Sequence, residues 1–247
     1  RQLNIRQAGR ATSVSAANFA PRLSPNAIAA VFGQGLAKST QPAPSQPLPL
    51  NIDGTSATVI DSSGVTRPAS LFFVSPNQVN LLIPGNTAPG LTSLRVLVDG
   101  ILIADGVVTI STVAPSLFSA SADGNGLAAG VILRMKADGT QSFEPIARFD
   151  SAQNKFVPVP IEFGAETDQV FLALFGSGIR GRSALGAINV RVGDVDLPVQ
   201  FAGPQNDFVG LDQVNVLLPR TLGGRGEVTI SMTVDNNLAN PVSVAFQ

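Results

Sequence analysis

Hydrophobic and polar residues alternate with a period of two along much of this chain. In Gln78-Val79-Asn80-Leu81-Leu82-Ile83, the residues Val79, Leu81 and Ile83 share one side while Gln78 and Asn80 share the other. That is the side-chain pattern of a half-buried β-strand. The same parity returns in Gln213-Val214-Asn215-Val216-Leu217-Leu218. Pro84 and Pro219 close the two runs, because proline has no N–H to give to a sheet ladder. Further strands are predicted over 57–60, 69–74, 93–99, 101–110, 170–175, 187–192, 196–201, 226–234 and 241–246. They are short, rich in β-branched residues and bounded by Gly, Pro, Asn or Asp. Asp99-Gly100 has the composition of a type I′ hairpin turn. Helical spacing with caps does not recur, so the pattern predicts an all-β chain of sandwich type.

The Gln-Val-Asn motif therefore occurs twice, and its surroundings recur with it. Val31-Phe32-Gly33-Gln34-Gly35-Leu36 returns as Leu174-Phe175-Gly176-Ser177-Gly178-Ile179, and Ile52-Asp53-Gly54 as Val192-Gly193-Asp194. Recurrence in this order predicts an internal duplication. The expected organisation is an N-terminal arm at 1–13, then two immunoglobulin-like β-sandwiches at 14–113 and 114–247. The second carries a hairpin insertion around 134–160. Pro42, Pro44, Pro47 and Pro49 predict an extended surface connection.

Composition narrows the chemistry. The 247 residues are 44% hydrophobic and 13% charged, with a net charge of −1. That describes a globular chain with no overall field to attract nucleic acid. Cys, His, Trp and Tyr are all absent. Without His or Cys there is no catalytic triad, thiolate nucleophile or zinc-binding His/Cys set. No apolar run approaches the roughly 18 residues of a membrane-spanning helix. No cofactor or metal is expected, and the chain is not expected to be an enzyme. Arg1, Arg6, Arg10, Arg22 and Lys38 precede the first acidic residue, Asp53, so a basic beginning faces an acidic remainder.

Several runs resemble one known family in order as well as content. They are Ala16-Ala17-Asn18-Phe19, Phe32-Gly33-Gln34-Gly35-Leu36, Val74-Ser75-Pro76-Asn77-Gln78-Val79-Asn80, Ala114-Pro115-Ser116-Leu117-Phe118 and Phe208-Val209-Gly210-Leu211-Asp212-Gln213-Val214-Asn215. Together they resemble the Solibacter-type uncharacterised C-terminal domain family of acidobacterial proteins over residues 14–247. The resemblance implies secreted or surface-exposed proteins ending in tandem IPT/TIG-like immunoglobulin folds, and it brings no catalytic residue.

Candidate sites follow. Gln78, Asn80, Gln213 and Asn215 suit a structural clamp, their amides bonding loop carbonyls or free N–H groups at a strand end. Leu3 and Ile5 alternate with polar residues ahead of Arg6 and Arg10, a pattern suited to strand addition. An arm detached from its own domain and entering the next subunit would build a head-to-tail fibre. Self-association is thus the expected partnership, with an extracellular or cell-surface structural or adhesive role. A monomeric module presenting loops to a polysaccharide or surface protein is the alternative. The Phe-Gly-x-Gly runs lack a phosphate-loop ending, and Asp123-Gly124-Asn125-Gly126 and Asp194-Val195-Asp196 read as turns and strand ends rather than calcium ligands. Glu162, Glu166 and Asp168 are the carboxylates closest in sequence that glycoside hydrolysis would need, but Phe72, Phe171 and Phe201 are expected in the core, leaving no aromatic platform beside them. Arg180-Gly181-Arg182 is expected to be a solvated loop.

Overall fold

The computed structural model describes residues 8–247. The chain divides between Thr112 and Val113 into two compact units, and among the described residues the regular structure is β-strand with two short 3-10 turns. The protein is all-β and of sandwich type.

In the first unit the strands are β1 (Gly9–Arg10), β2 (Thr12–Ser15), β3 (Arg22–Leu23), β4 (Ile28–Phe32), β5 (Gln41–Pro42) and β6 (Asn51–Ile52). They are followed by β7 (Thr55–Ile60), β8 (Thr66–Val74), β9 (Gln78–Leu82), β10 (Gly90–Val98) and β11 (Ile101–Ile110). The order is β1-β11-β10-β7-β8-β9-β4-β2. β8 belongs to both layers: Thr66 to Ala69 pair with β7, and from Ser70 onward the strand pairs with β9. Val59, Leu94 and Val96 from one layer and Val31, Val79 and Leu81 from the other form one fully buried core. Each layer thus loses one apolar face to water-free packing, the main driving force of the fold. Asp99 and Gly100 take φ of 50° and 76° between β10 and β11, the left-handed pair that a type I′ turn requires.

In the second unit the strands are β12 (Ser116–Leu117), β13 (Gly130–Met135), β14 (Gln141–Pro145), β15 (Ala147–Asp150), β16 (Lys155–Pro158) and β17 (Gln169–Ser177). After them come β18 (Ile188–Val192), β19 (Val195–Leu197), β20 (Val199–Pro204), β21 (Asp212–Leu217), β22 (Gly226–Val234), β23 (Asn237–Leu238) and β24 (Val242–Phe246). One sheet runs β14-β13-β17-β21-β20 and the other β19-β18-β22, with β23 and β24 on β22. Leu172, Leu174 and Val214 meet Val190, Ile230 and Val244 in the core between them. The run 196–201, predicted as one strand, is split at Pro198 into β19 and β20, which lie in different sheets. Proline, with no N–H to offer a ladder, sits at the crossing. Of the predicted insertion, β13 pairs with β17 inside the main sheet and Ile146 is buried in the core. Only β15 and β16 form a separate two-stranded ribbon.

The motif-bearing strands have the same register in both units. Ala30 and Phe32 oppose Asn80 and Gln78, and Ala173 and Phe175 oppose Asn215 and Gln213. On the other flank Phe73 opposes Asn80 and Phe201 opposes Asn215, each just after a register shift. Ile52-Asp53-Gly54 and Val192-Gly193-Asp194 are not equivalent, however. The first turn leads into β7, which lies beside β10, whereas the second leaves β18, which lies beside β22. A β-branched residue followed by Gly and Asp is a general turn composition, and that alone produced the match.

Two expectations concern the arm and the aromatics. Leu3, Ile5 and Arg6 lie outside the described residues. Arg10 lies within its own unit: β1 runs parallel to β11, with Gly9 opposite Ala104 and Arg10 opposite Asp105. Ala11 N–H donates to Asp105 O at 2.8 Å, and β2 continues directly into pairing with β4. Residues from Gly9 onward are part of the first sandwich, not a detached arm. The phenylalanines are not core residues either. Of 14 in the chain, Phe246 is the buried one. Phe72 and Phe171 are half-buried and Phe201 is exposed. Parity explains this: Val170, Leu172 and Leu174 point inward, so Phe171 between them points out.

Candidate functional site

The two Gln-x-Asn pairs occupy the outward faces of β9 and β21. Their inward neighbours Val79, Leu81, Val214 and Val216 are fully buried, which leaves the amides side by side at i and i+2 on the other face. Gln78 Nε2 donates to Asn80 Oδ1 at 2.8 Å, and Gln213 Nε2 donates to Asn215 Oδ1 at 2.7 Å. This differs from the expected clamp on strand-end backbone groups: each amide bonds its own partner along the strand. In the first unit the strand end is closed by Ser75, whose N–H donates to Gln78 O at 2.7 Å and whose Oγ accepts from Gln78 N–H at 3.0 Å.

What precedes the ladder separates the two units. β8 and β9 are joined by Ser75, Pro76 and Asn77 alone. β20 and β21 are joined by residues 205–211. Within that loop Gln205 Oε1 accepts from Asp207 N–H at 2.9 Å and Phe208 N–H at 3.0 Å, and Gln205 Nε2 donates to Asp207 Oδ2 at 3.1 Å. The folded loop borders an open, shallow depression of about 400 Å³ lined by Phe201, Pro204, Gln205, Asn206, Asp207, Gln213 and Asn215. The Phe201 ring leans along the strand toward Gly203, where a β-carbon would sit 3.4 Å from Phe201 Cζ, an ordinary contact. The same position lies 4.0 Å from Arg182 Nη1, and Arg182 Nε is buried without a hydrogen-bond partner.

Several buried or half-buried ionisable side chains pair with one another. Asp212 is buried and accepts from Ile179 N–H at 2.7 Å and from Arg180 Nε at 2.6 Å, while Arg180 Nη2 donates to Leu211 O at 2.8 Å. Burial pushes the Asp212 carboxyl up, against the opposing pull of those donors. Arg180, expected in a solvated loop, is therefore half of an ion pair with buried Asp212. Arg134 holds Glu144 with both Nε and Nη2, at 2.6 and 2.9 Å, and lies 3.5 Å from Asp168. It also donates to the backbone carbonyls of Glu162 and Phe163. Of the three carboxylates considered for glycoside hydrolysis, Asp168 is thus neutralised by Arg134, and Glu162 and Glu166 are exposed. The Arg134 guanidinium also holds Glu144 below the usual carboxylate range.

The remaining acidic turns are likewise satisfied. Asp123 accepts from the hydroxyls of Ser119 and Ser121 and from Asn125 N–H, which is turn chemistry. Asp194 pairs with Arg225, and Asp196 lies 3.8 Å from Arg191. In the first unit Asp61 accepts from Ser63, Val65, Ala88 and Arg67. Among the described residues no group of three or more Asp or Glu is placed to hold a metal ion. No helix there is long and apolar enough to cross a membrane.

No family model matches the chain, and no curated protein matches it either. Among solved structures it is similar to an auxiliary nutrient binding protein from Bacteroides ovatus ATCC 8483. The similarity covers 73% of this chain and 45% of that one, at 10% identity and a TM-score of 0.27. The chain thus spans less than half of that protein, and a likeness this slight carries no functional argument.

Proposed function

We propose that this protein is a non-enzymatic, extracellular or surface-exposed binding module built from duplicated β-sandwiches. The observation that carries the proposal is the placement of its aromatics. Phe143, Phe149, Phe156, Phe201 and Phe208 of the second unit are all exposed, while Phe246 is the one phenylalanine buried in its otherwise largely aliphatic core. Apolar rings held in water are a cost to a lone molecule and a source of affinity once a partner covers them. The buried and half-buried charges point the same way. Asp212, Glu144 and Asp168 each face an arginine, which withdraws these three carboxylates from acid and base work. The resemblance of the motif order to a family of secreted proteins supports the extracellular setting.

From Gly9 onward the N-terminal segment is committed to its own sandwich, β1 lying along β11 and β2 along β4, so a donor strand would have to come from the residues before it. The test is to immobilise the chain, present polysaccharides and purified surface proteins, and follow the retained species by chromatography. Saturable retention without consumption is the expected result. Product formation, or filaments of the chain alone under the electron microscope, would overturn it.

A further inference from the structure

We infer that the pocket on the outer face of β20 and β21 is a binding site for a neutral carbohydrate. The inference rests on the binding-module reading and gives that module a location and a ligand class.

Three features of the lining carry it. The first is the amide ladder itself. The internal bond between Gln213 and Asn215 uses one Gln213 N–H and the Asn215 oxygen. It leaves Gln213 Oε1 as an acceptor beside the Asn215 N–H donors. Adjacent sugar hydroxyls each donate and accept, so a vicinal pair of them matches this arrangement. The second is Phe201, 42% exposed and leaning over Gly203, which offers a flat apolar surface to the C–H face of a sugar ring. The third is charge. Asp207 is the one charged residue in the lining, and no lysine or arginine lines the pocket. Arg182 stands next to it, its Nη1 4.0 Å from the Gly203 β-carbon position, so the two charges offset and leave no net field to favour an anion over a neutral ligand. The depression of about 400 Å³ is open to solvent, which suits one or two units of an extended polymer more than an enclosed small molecule.

The first unit supplies a comparison within the same molecule. Gln78 and Asn80 make the same bond on the same face, but there the three residues Ser75–Asn77 stand in place of loop 205–211. The ladder is common to both units. The pocket follows from loop 205–211.

Affinity electrophoresis of the full chain through gels containing soluble β-glucan, galactomannan, xylan or dextran tests this, with alginate and polygalacturonate as anionic comparators. Retardation by at least one neutral polysaccharide is expected. Phe201→Ala and Gln213→Ala should each weaken it by on the order of tenfold, and Gln78→Ala should leave it unchanged. Asn206→Ala, in the exposed loop, gives a second lining variant that leaves both sheets intact. Retardation unaffected by the lining variants, or weakened equally by Gln78→Ala, would overturn the site while leaving the module reading. Retardation by the anionic polymers alone, or by none of the polymers, would overturn the ligand class. Release of products from any polymer would instead overturn the module reading itself.

Discussion

Buried Asp212 and partly exposed Arg180 form an ion pair at 2.6 Å, and that pair takes over a task done by backbone in the first unit. The Asp212 carboxylate accepts the N–H of Ile179, which follows the second Phe-Gly-x-Gly run. In the first unit the corresponding Leu36 N–H donates to the Pro76 carbonyl at 2.9 Å, and Asn77, at the position of Asp212, is exposed. Removing one partner of a buried pair strands the other. Asp212→Ala should therefore cost about 3–5 kcal/mol. Asp212→Asn, which keeps the shape, should cost about 1–3 kcal/mol. Asn77→Ala should stay within about 0.5 kcal/mol. Urea unfolding of the three variants checks the ranking, and equal losses at Asp212 and Asn77 would contradict it.

The amide ladders make a different kind of prediction. Gln78 and Asn80 bond each other rather than the backbone, so either alanine substitution removes the same half-buried bond. Each should cost about 0.5–1.5 kcal/mol, and the double variant little more than one of them. A double-mutant cycle should show a coupling of about 0.5 kcal/mol or more. The same holds for Gln213 and Asn215. Additive losses with no coupling would mean that the amides act through other partners.

Much of this fold was legible from alternation alone. Val79 and Leu81 point in and Gln78 and Asn80 point out, as two-residue periodicity demands. The same rule also places Phe171 outside, between Val170 and Leu172, although hydrophobicity alone would put it in the core. The site was half legible. The ladder is written twice in the sequence, and the extra residues between Pro204 and Gln213, beside the short link from Val74 to Gln78, mark the loop that borders the pocket. The ion pairs were not legible. Arg180 and Asp212, or Arg134 and Asp168, are far apart in sequence, and only the strand order brings them together. Neither was the pairing of β1 with β11, because two residues carry no periodicity.

Carboxylates in the two units should respond to acid with opposite signs. The Ser63 hydroxyl, the Ala88 and Val65 N–H groups and the Arg67 guanidinium hold Asp61 well below the usual range. Its contribution to stability is complete above the ordinary carboxylate pKa of about 4, and is lost as pH falls from there through the depressed value. Asp212 is raised by burial, so its contribution is fully present in acid and declines as pH rises through the carboxylate range. Asp61→Asn should flatten the acid limb of the first unit's transition, whereas Asp212→Asn should not. Melting curves between pH 7 and about pH 3 decide this. An acid limb unchanged by Asp61→Asn would contradict the assignment.

The ribbon of β15 and β16 should open independently of its sandwich. Phe149 and Phe156 face each other across it, edge to face, with ring centres 5.4 Å apart. Both are exposed, and the ribbon pairs with neither sheet. Beyond it the turn is tied by Asp150, which accepts from Ala152 N–H at 2.9 Å and from Gln153 Nε2 at 2.9 Å. The ring pair is worth about 0.5–1.5 kcal/mol, but that energy is local to the ribbon. Phe149→Ala and Phe156→Ala should therefore speed amide exchange at Arg148 to Val157, while global unfolding shifts by less than about 0.5 kcal/mol. Native-state hydrogen exchange beside urea unfolding separates the two. A global loss as large as the local one would mean that the ribbon is part of the cooperative core, and its aromatics would then be explained by stability rather than by a partner.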